Sequence, residues 1–120
     1  KANLAIEEGP QRWRFLETLN FIATELHKGT SPLFKNPGDD AKAAATANLV
    51  NRYKLLEQKL GDQDYLHGQF TVADAYAFVV LNWARRFEIP VSPKLTAYFE
   101  RIRARPAVQQ TLKEEGLPTS

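Results

Sequence analysis

Apolar residues along the chain recur with the 3.6-residue period of helices, and prolines and glycines separate the periodic segments. The first segment begins at Pro10, a residue favoured in the first turn of a helix, and continues to about Lys28. Gly29 then provides a helix-ending signal. The predicted buried stripe of this helix contains Leu16, Leu19, Ile22, Ala23 and Leu26.

A second, longer helix is predicted after a loop marked by the dipeptide Ser31-Pro32 and the tripeptide 36–38, Asn-Pro-Gly. Asp39 or Asp40 is a candidate N-cap, because a carboxylate can accept a hydrogen bond from a free N–H of the first turn. The helix is expected to end at Leu60-Gly61. Its apolar positions, which predict the inner face, are Leu49, Tyr53, Leu56 and Leu60.

The third predicted helix, about residues 72–88, is apolar on nearly every side, which is typical of a helix in the middle of a bundle. Thr71 fits the N-cap and Asp74 the third helical position of a capping box, in which each side chain satisfies a backbone N–H at the other residue. This pair is therefore expected to specify folding rather than chemistry. Phe70 stands where a hydrophobic staple would begin, although the partner position holds only Ala75.

Two further helices are predicted, from Ser92-Pro93 to about Ala104 and from Pro106 to near Gly116. No segment has the alternating pattern of a strand. The sequence therefore predicts an all-α fold, a five-helix bundle with a central buried helix over residues 10–120. Residues 1–9 are expected to be an interdomain linker. Because the chain begins with Lys1 and contains no methionine, it is expected to be a piece of a longer protein.

Composition and charge exclude several classes of function. The chain has 120 residues with 16 basic and 14 acidic side chains, a balance that does not by itself favour a nucleic-acid partner. The most apolar stretch, residues 72–84, contains Asp74 and Asn82 and is far shorter than the roughly 20 residues that span a membrane. No signal peptide is visible. With no cysteine, and no histidine or carboxylate pair at ligand spacing, no metal is expected.

Polar residues on the first helix form the candidate chemical feature. At about 100° per residue, Asn20, Thr24, His27 and Lys28 fall within an arc of about 100°, and Glu17 lies in the same arc. One interpretation is a solvated face whose basic last turn complements the helix dipole. The other is a site for a small anionic ligand, with neutral hydrogen bonds from Asn20 and Thr24 and positive charge from Lys28. The periodicity is compatible with both.

Two stretches resemble a known family. Segment 19–29 (LNFIATELHKG), followed by SPLF at 31–34, is similar to the corresponding helix of bacterial beta-class glutathione transferases. Segment 68–76 (GQFTVADAY) resembles the capping motif of the whole glutathione transferase superfamily. Trp83-Ala84 and RPAVQ at 105–109 fit the same pattern, so the resemblance extends over nearly the whole chain.

The resemblance implies the C-terminal domain of a cytoplasmic, homodimeric enzyme that conjugates glutathione to hydrophobic electrophiles. A thioredoxin-like N-terminal domain, absent from this chain, would carry the thiol-activating residue. The family pattern gives His27 and Lys28 catalytic roles, and Trp83 and Thr30 places in the electrophile pocket. The implied glutathione-binding positions are Asn20, Thr24, Glu25, His27 and Lys28, with the first three reaching glutathione held mainly by the neighbouring subunit.

Several alternatives stay open at this point. His27 could act as a hydrogen-bond donor to the thiolate or as a base that removes the thiol proton. Tyr76 is expected to be a core residue and His67 a loop residue without a functional role. The alternative function is a non-catalytic helical module for dimerisation or scaffolding, and a more distant one is a basic nucleic-acid binder.

Overall fold

The structure, a computed structural model, describes residues 9–114, and of residues 111 and 112 the backbone alone. Five helices lie within this range, and the extended pairing found there is one isolated bridge between His67 and Gln69. The predicted all-α fold is therefore confirmed. The expected linker, apart from Gly9, and the expected helix end near Gly116 lie outside the described residues.

The first helix, α1, has three consecutive segments: an α-helix Pro10–Phe21, a π-helix Ile22–His27 and a final α-helical turn Lys28–Thr30. A 3₁₀ turn, Ser31–Lys35, follows without a break. The prediction that Gly29 ends the helix is wrong. A Cβ atom at Gly29 would lie 3.1 Å from Leu49 Cδ2, so the glycine serves close packing between α1 and the next helix.

The buried stripe of α1 differs from the predicted one near its beginning. Leu16 is 38% exposed, whereas Phe15 and Thr18 are buried together with Ile22 and Leu26. Phe15, Thr18 and Ile22 follow the i, i+3, i+7 pattern of one helix face, and Leu16 lies about 100° away from Phe15. The prediction that Leu16 belongs to the core is therefore wrong.

The second helix, α2, spans Asp39–Leu60, and its predicted inner residues Leu49, Tyr53, Leu56 and Leu60 are all buried. The predicted capping by Asp39 or Asp40 is wrong. Gly38 occupies the N-cap with extended backbone, and both aspartates lie in the first turn, where their charge complements the helix dipole. Gly61 ends the helix with φ of 58°, a conformation that favours glycine.

The remaining helices are α3, Val72–Arg86, α4, Pro93–Arg103, and α5, Pro106–Glu114. α3 packs against both α1 and α4, and Tyr53 of α2 donates a hydrogen bond of 2.8 Å to the Val80 carbonyl oxygen. The central position of α3 is thus as predicted, but burial on every side is not. Val72 and Val79 are each 41% exposed, because one strip of α3 faces away from its neighbours.

The start of α3 has the predicted capping box, with Thr71 as N-cap and Asp74 at the third position. The fully buried Asp74 carboxylate also accepts hydrogen bonds from the Leu66 N–H and the Tyr98 hydroxyl. The Phe70 ring meets the Tyr65 ring edge to face and lies under the Arg105 guanidinium, which is 4.0 Å from the Phe70 centroid.

Candidate functional site

His27 lies at the end of the π segment of α1, where α3 passes beside it. Its Nδ1 atom lies 2.6 Å from the Tyr76 hydroxyl oxygen, a short hydrogen bond between residues 49 positions apart. The edge of the ring also meets Trp83, with centroids 5.1 Å apart and planes at 74°. Tyr76 and Trp83 are seven residues apart on α3, so they share the face of α3 that meets the end of α1.

The 3₁₀ turn after α1 adds further aromatic residues to this place. The Phe34 ring lies edge-on to Trp83, with centroids 5.2 Å apart, and edge-on to Phe87 at 4.9 Å. Phe34 remains 45% exposed, so the group presents apolar surface to the outside. The Arg86 guanidinium lies 5.4 Å from the Phe34 centroid. We call His27, Phe34, Tyr76, Trp83 and Phe87 the aromatic cluster.

The polar stripe predicted on α1 lies beside this cluster and is largely exposed. Asn20, Thr24 and Lys28 are exposed, and His27 is half-buried. The Thr24 hydroxyl donates to the Asn20 carbonyl oxygen at 2.8 Å. Its proton is therefore used within the helix, and the oxygen retains lone pairs that can accept a hydrogen bond from a ligand. Lys28 forms no ion pair with the residues described.

Glu25 points to α2 rather than along the polar stripe. Its carboxylate oxygen lies 2.8 Å from Arg52 Nε, and both side chains are about one-third exposed. The Arg52 Nε–H is not directed at an acceptor, so the contact is an ion pair without an aligned hydrogen bond. Glu25 therefore helps to join α1 to α2 within this chain.

Thr30 is 1% exposed, and its hydroxyl donates to the Leu26 carbonyl oxygen at 2.7 Å. The side chain thus has no surface to offer a ligand, in contrast to the pocket role that the family pattern implies. Phe34 stands at the exposed edge instead. The sequence signal that could have found Phe34 is an aromatic residue in a short segment next to the polar stripe.

A separate polar cleft of about 380 Å³ lies between the beginning of α1 and the end of α2. His67, predicted to be without a role, borders it, and its Nε2 lies 3.1 Å from Thr18 Oγ1. Because the Thr18 hydroxyl donates to the Arg14 carbonyl oxygen, the Nε2–H of His67 is the donor in that pair. Burial lowers the pKa of His67 from its ordinary value. None of the residues that line the cleft belongs to the aromatic cluster.

Two features of the described chain bear on other classes of site. No group of three or more histidine, aspartate or glutamate side chains within residues 9–114 could hold a metal ion. Over the same residues, no helix has both the length and the apolar character needed to cross a membrane.

Comparison with known proteins gives a consistent family. Residues 21–106 match the family described as "Glutathione S-transferase, C-terminal domain". Glutathione S-transferase GstA of Escherichia coli O157:H7 is 39% identical over 110 residues, which cover 88% of this chain and 55% of that protein. Glutathione S-transferase GST-4.5 of Xanthomonas campestris is 33% identical over 108 residues, covering 81% and 53% respectively.

Solved structures agree with this result. The ternary complex of BphK, a bacterial GST, superposes with a TM-score of 0.87 and 42% identity, covering 95% of this chain and 60% of that one. A sphingomonad glutathione S-transferase complexed with glutathione gives 0.85 and 41%, covering 96% and 60%. The chain thus spans a little over half the length of the curated relatives that it matches.

Proposed function

Because this chain belongs to the glutathione S-transferase C-terminal domain family, we propose that it is the helical part of an enzyme that joins the glutathione thiolate to hydrophobic electrophiles. The observation that carries this proposal is the position of His27. It is half-buried, hydrogen-bonded to Tyr76 and edge-on to Trp83, with an exposed polar stripe on one side and exposed apolar surface on the other. Glutathione is polar and the co-substrate is apolar, so the reaction needs a place where a polar surface adjoins an apolar one.

The polar stripe is the proposed glutathione-binding part. Asn20 can donate or accept a neutral hydrogen bond with glutathione and Thr24 can accept one, while the exposed Lys28 ammonium supplies positive charge for this anionic ligand. Glu25 can accept from the ligand's amino group through the oxygen that does not face Arg52. The resemblance implies that Asn20, Thr24 and Glu25 reach glutathione held by the neighbouring subunit, so a homodimer is part of the proposal.

The aromatic cluster is the proposed wall for the electrophile. Trp83, Phe34 and Phe87 meet edge to face, an arrangement that leaves ring faces and edges free to stack on a planar apolar compound. Arg86 lies over both phenylalanine rings and can attract a polar substituent such as a nitro group. Thr30 is left out of this wall because it is buried.

Conjugation requires that the sulfur be a thiolate next to the electrophilic carbon. In this proposal the thiol is activated by a residue in the part of the relatives that this chain does not cover, within a thioredoxin-like domain. His27 and Lys28 would stabilise the sulfur's negative charge from the opposite side of the cleft. A free glutathione thiol is maintained in reducing compartments, which is why we propose a cytoplasmic location.

The test is the effect of His27→Ala and Lys28→Ala on conjugation of glutathione to a chlorinated dinitrobenzene, measured with the intact natural protein. Each variant removes one group that stabilises the negative charge of the glutathione sulfur, which should lower kcat/KM at least about tenfold. Lys42→Ala, an exposed lysine near the beginning of α2, is the charge-matched control and should leave the kinetics unchanged. Unchanged kinetics in both site variants would remove this helix from the active site. A parent protein that dimerises without conjugating activity would instead support the scaffolding function.

A further inference from the structure

The contact between His27 and Tyr76 determines more than the position of the imidazole ring. The Nδ1 atom and the phenolic oxygen are 2.6 Å apart, and the two rings meet at 89° with centroids 5.9 Å apart. No other hydrogen bond involves either the Tyr76 hydroxyl or the His27 Nε2 atom among residues 9–114. The hydrogen bond between Nδ1 and the Tyr76 oxygen contains one proton, which either group can donate. The direction of donation decides which ring nitrogen carries the imidazole proton.

The chemistry of the two groups favours donation from the phenol. A neutral imidazole has one N–H donor and one lone-pair acceptor, whereas a phenol can do either. If Nδ1–H were the donor, the Tyr76 O–H would remain without an acceptor among residues 9–114 in a half-buried place, which is unfavourable. If the phenol is the donor, the contact satisfies the Tyr76 O–H and the Nδ1 lone pair, and only the His27 Nε2–H is left for an outside partner. A phenol, with a pKa near 10, is also a much stronger acid than a neutral imidazole N–H.

We propose that Tyr76 is a positioning residue that donates its hydroxyl proton to Nδ1 of His27 and thereby places the imidazole proton on Nε2. In that tautomer Nε2–H is the group available to a ligand. His27 then acts as a hydrogen-bond donor to the glutathione sulfur and not as the base that removes its proton, because Nδ1 is occupied and Nε2 already carries a proton. The catalytic meaning rests on the proposed function, whereas the tautomer does not.

One further contact keeps the ring in this orientation, because Trp83 meets the imidazole at 74° and limits its rotation. A flip of the imidazole ring would put one of its carbon atoms, in place of Nδ1, next to the Tyr76 hydroxyl and would break the 2.6 Å hydrogen bond. Tyr76 thus determines which edge of His27 faces the ligand as well as which nitrogen is protonated.

The test combines nitrogen NMR with kinetics on the intact protein. At about pH 8 the ¹⁵N shifts of the ring distinguish a protonated from a bare nitrogen. The parent should show His27 protonated at Nε2. In Tyr76→Phe, which keeps the ring, His27 should populate both tautomers, and kcat should fall about tenfold with the KM for glutathione little changed.

Tyr65→Phe is the matched control, since Tyr65 is also half-buried and its hydroxyl accepts from Arg105 at 3.0 Å, away from His27. It should change neither the His27 spectrum nor kcat. A parent with Nδ1 protonated, or a Tyr76→Phe variant with an unchanged tautomer, would overturn the proposal. A changed tautomer with unchanged kcat would overturn its catalytic part. A parent without conjugating activity would count against the proposed function alone, because the NMR result still decides the role of Tyr76.

Discussion

The buried carboxylate of Asp74 connects three separate parts of the fold, and replacing it by asparagine tests how that network is held. Oδ1 accepts from the Leu66 N–H at 3.0 Å and from the Tyr98 hydroxyl at 2.6 Å, while Oδ2 accepts from the Thr71 N–H at 2.8 Å. Asp74 is fully buried. Burial above all, and then the neighbouring Asp74 carboxylate, raise the pKa of Tyr98 well above its ordinary range. The tyrosine therefore remains a neutral donor.

Asp74→Asn keeps the shape of the side chain and removes its charge and one acceptor. Oδ1 can still serve Leu66 and Tyr98, but the amide group then faces the Thr71 N–H, donor against donor. Leaving that N–H unsatisfied costs about 1–3 kcal/mol. The two surviving hydrogen bonds lose charge assistance, about 1 kcal/mol each. The expected loss of folding free energy is therefore about 3–5 kcal/mol.

Urea unfolding followed by far-UV circular dichroism measures this loss through the midpoint and the m-value. Asp62→Asn is the control, because Asp62 is exposed and its contact with Lys94, at 3.3 Å, is a surface ion pair; its midpoint should not move. Tyr98→Phe should lose about 2 kcal/mol, and the double variant should lose less than the sum of the two. A loss below about 1 kcal/mol for Asp74→Asn would refute the reasoning, since the carboxylate's charge and its second acceptor oxygen would then be dispensable.

Three further predictions concern other parts of the molecule. Thr71→Ala should lower the unfolding free energy by about 1–2 kcal/mol, because the Ala73 N–H loses its capping acceptor. Thr71→Ser keeps the hydroxyl and should retain most of the parent's stability. Urea unfolding measures both variants. Gly29→Ala should lower it by about 1 kcal/mol, because the added methyl group overpacks against Leu49, and in a Leu49→Ala background the same change should no longer be destabilising. Since burial lowers the pKa of His67 in the folded state, the unfolded chain takes up its proton first as the pH falls. Thermal stability should therefore decrease from about pH 7 downward, and a His67→Gln variant should show a smaller decrease than the parent.

Local signals in the sequence predicted most of the helices. Prolines mark the beginnings of α1, α4 and α5 as expected, and the Thr71–Asp74 box marks the beginning of α3. These features depend on groups within one turn of each other, so reading the chain locally suffices. Two errors have different origins. At Gly29 a tertiary contact matters, because a Cβ atom there would lie 3.1 Å from Leu49 Cδ2. At Asp39 the error is local, because the N-cap lies one residue earlier, on the extended backbone of Gly38.

The chain by itself determined the class of fold, the family and the polar stripe of α1, because hydrophobic periodicity and short motifs are properties of neighbouring residues. Only the tertiary structure decided which side chains meet that stripe. The sequence predicts Tyr76 as a core residue, and in the structure it is the hydrogen-bond partner of His27. The family resemblance implies Thr30 in the pocket, and in the structure it is buried. A helical period gives the face on which a residue lies, but the neighbour opposite that face depends on how α1 and α3 pack, and residues 49 positions apart share no local signal.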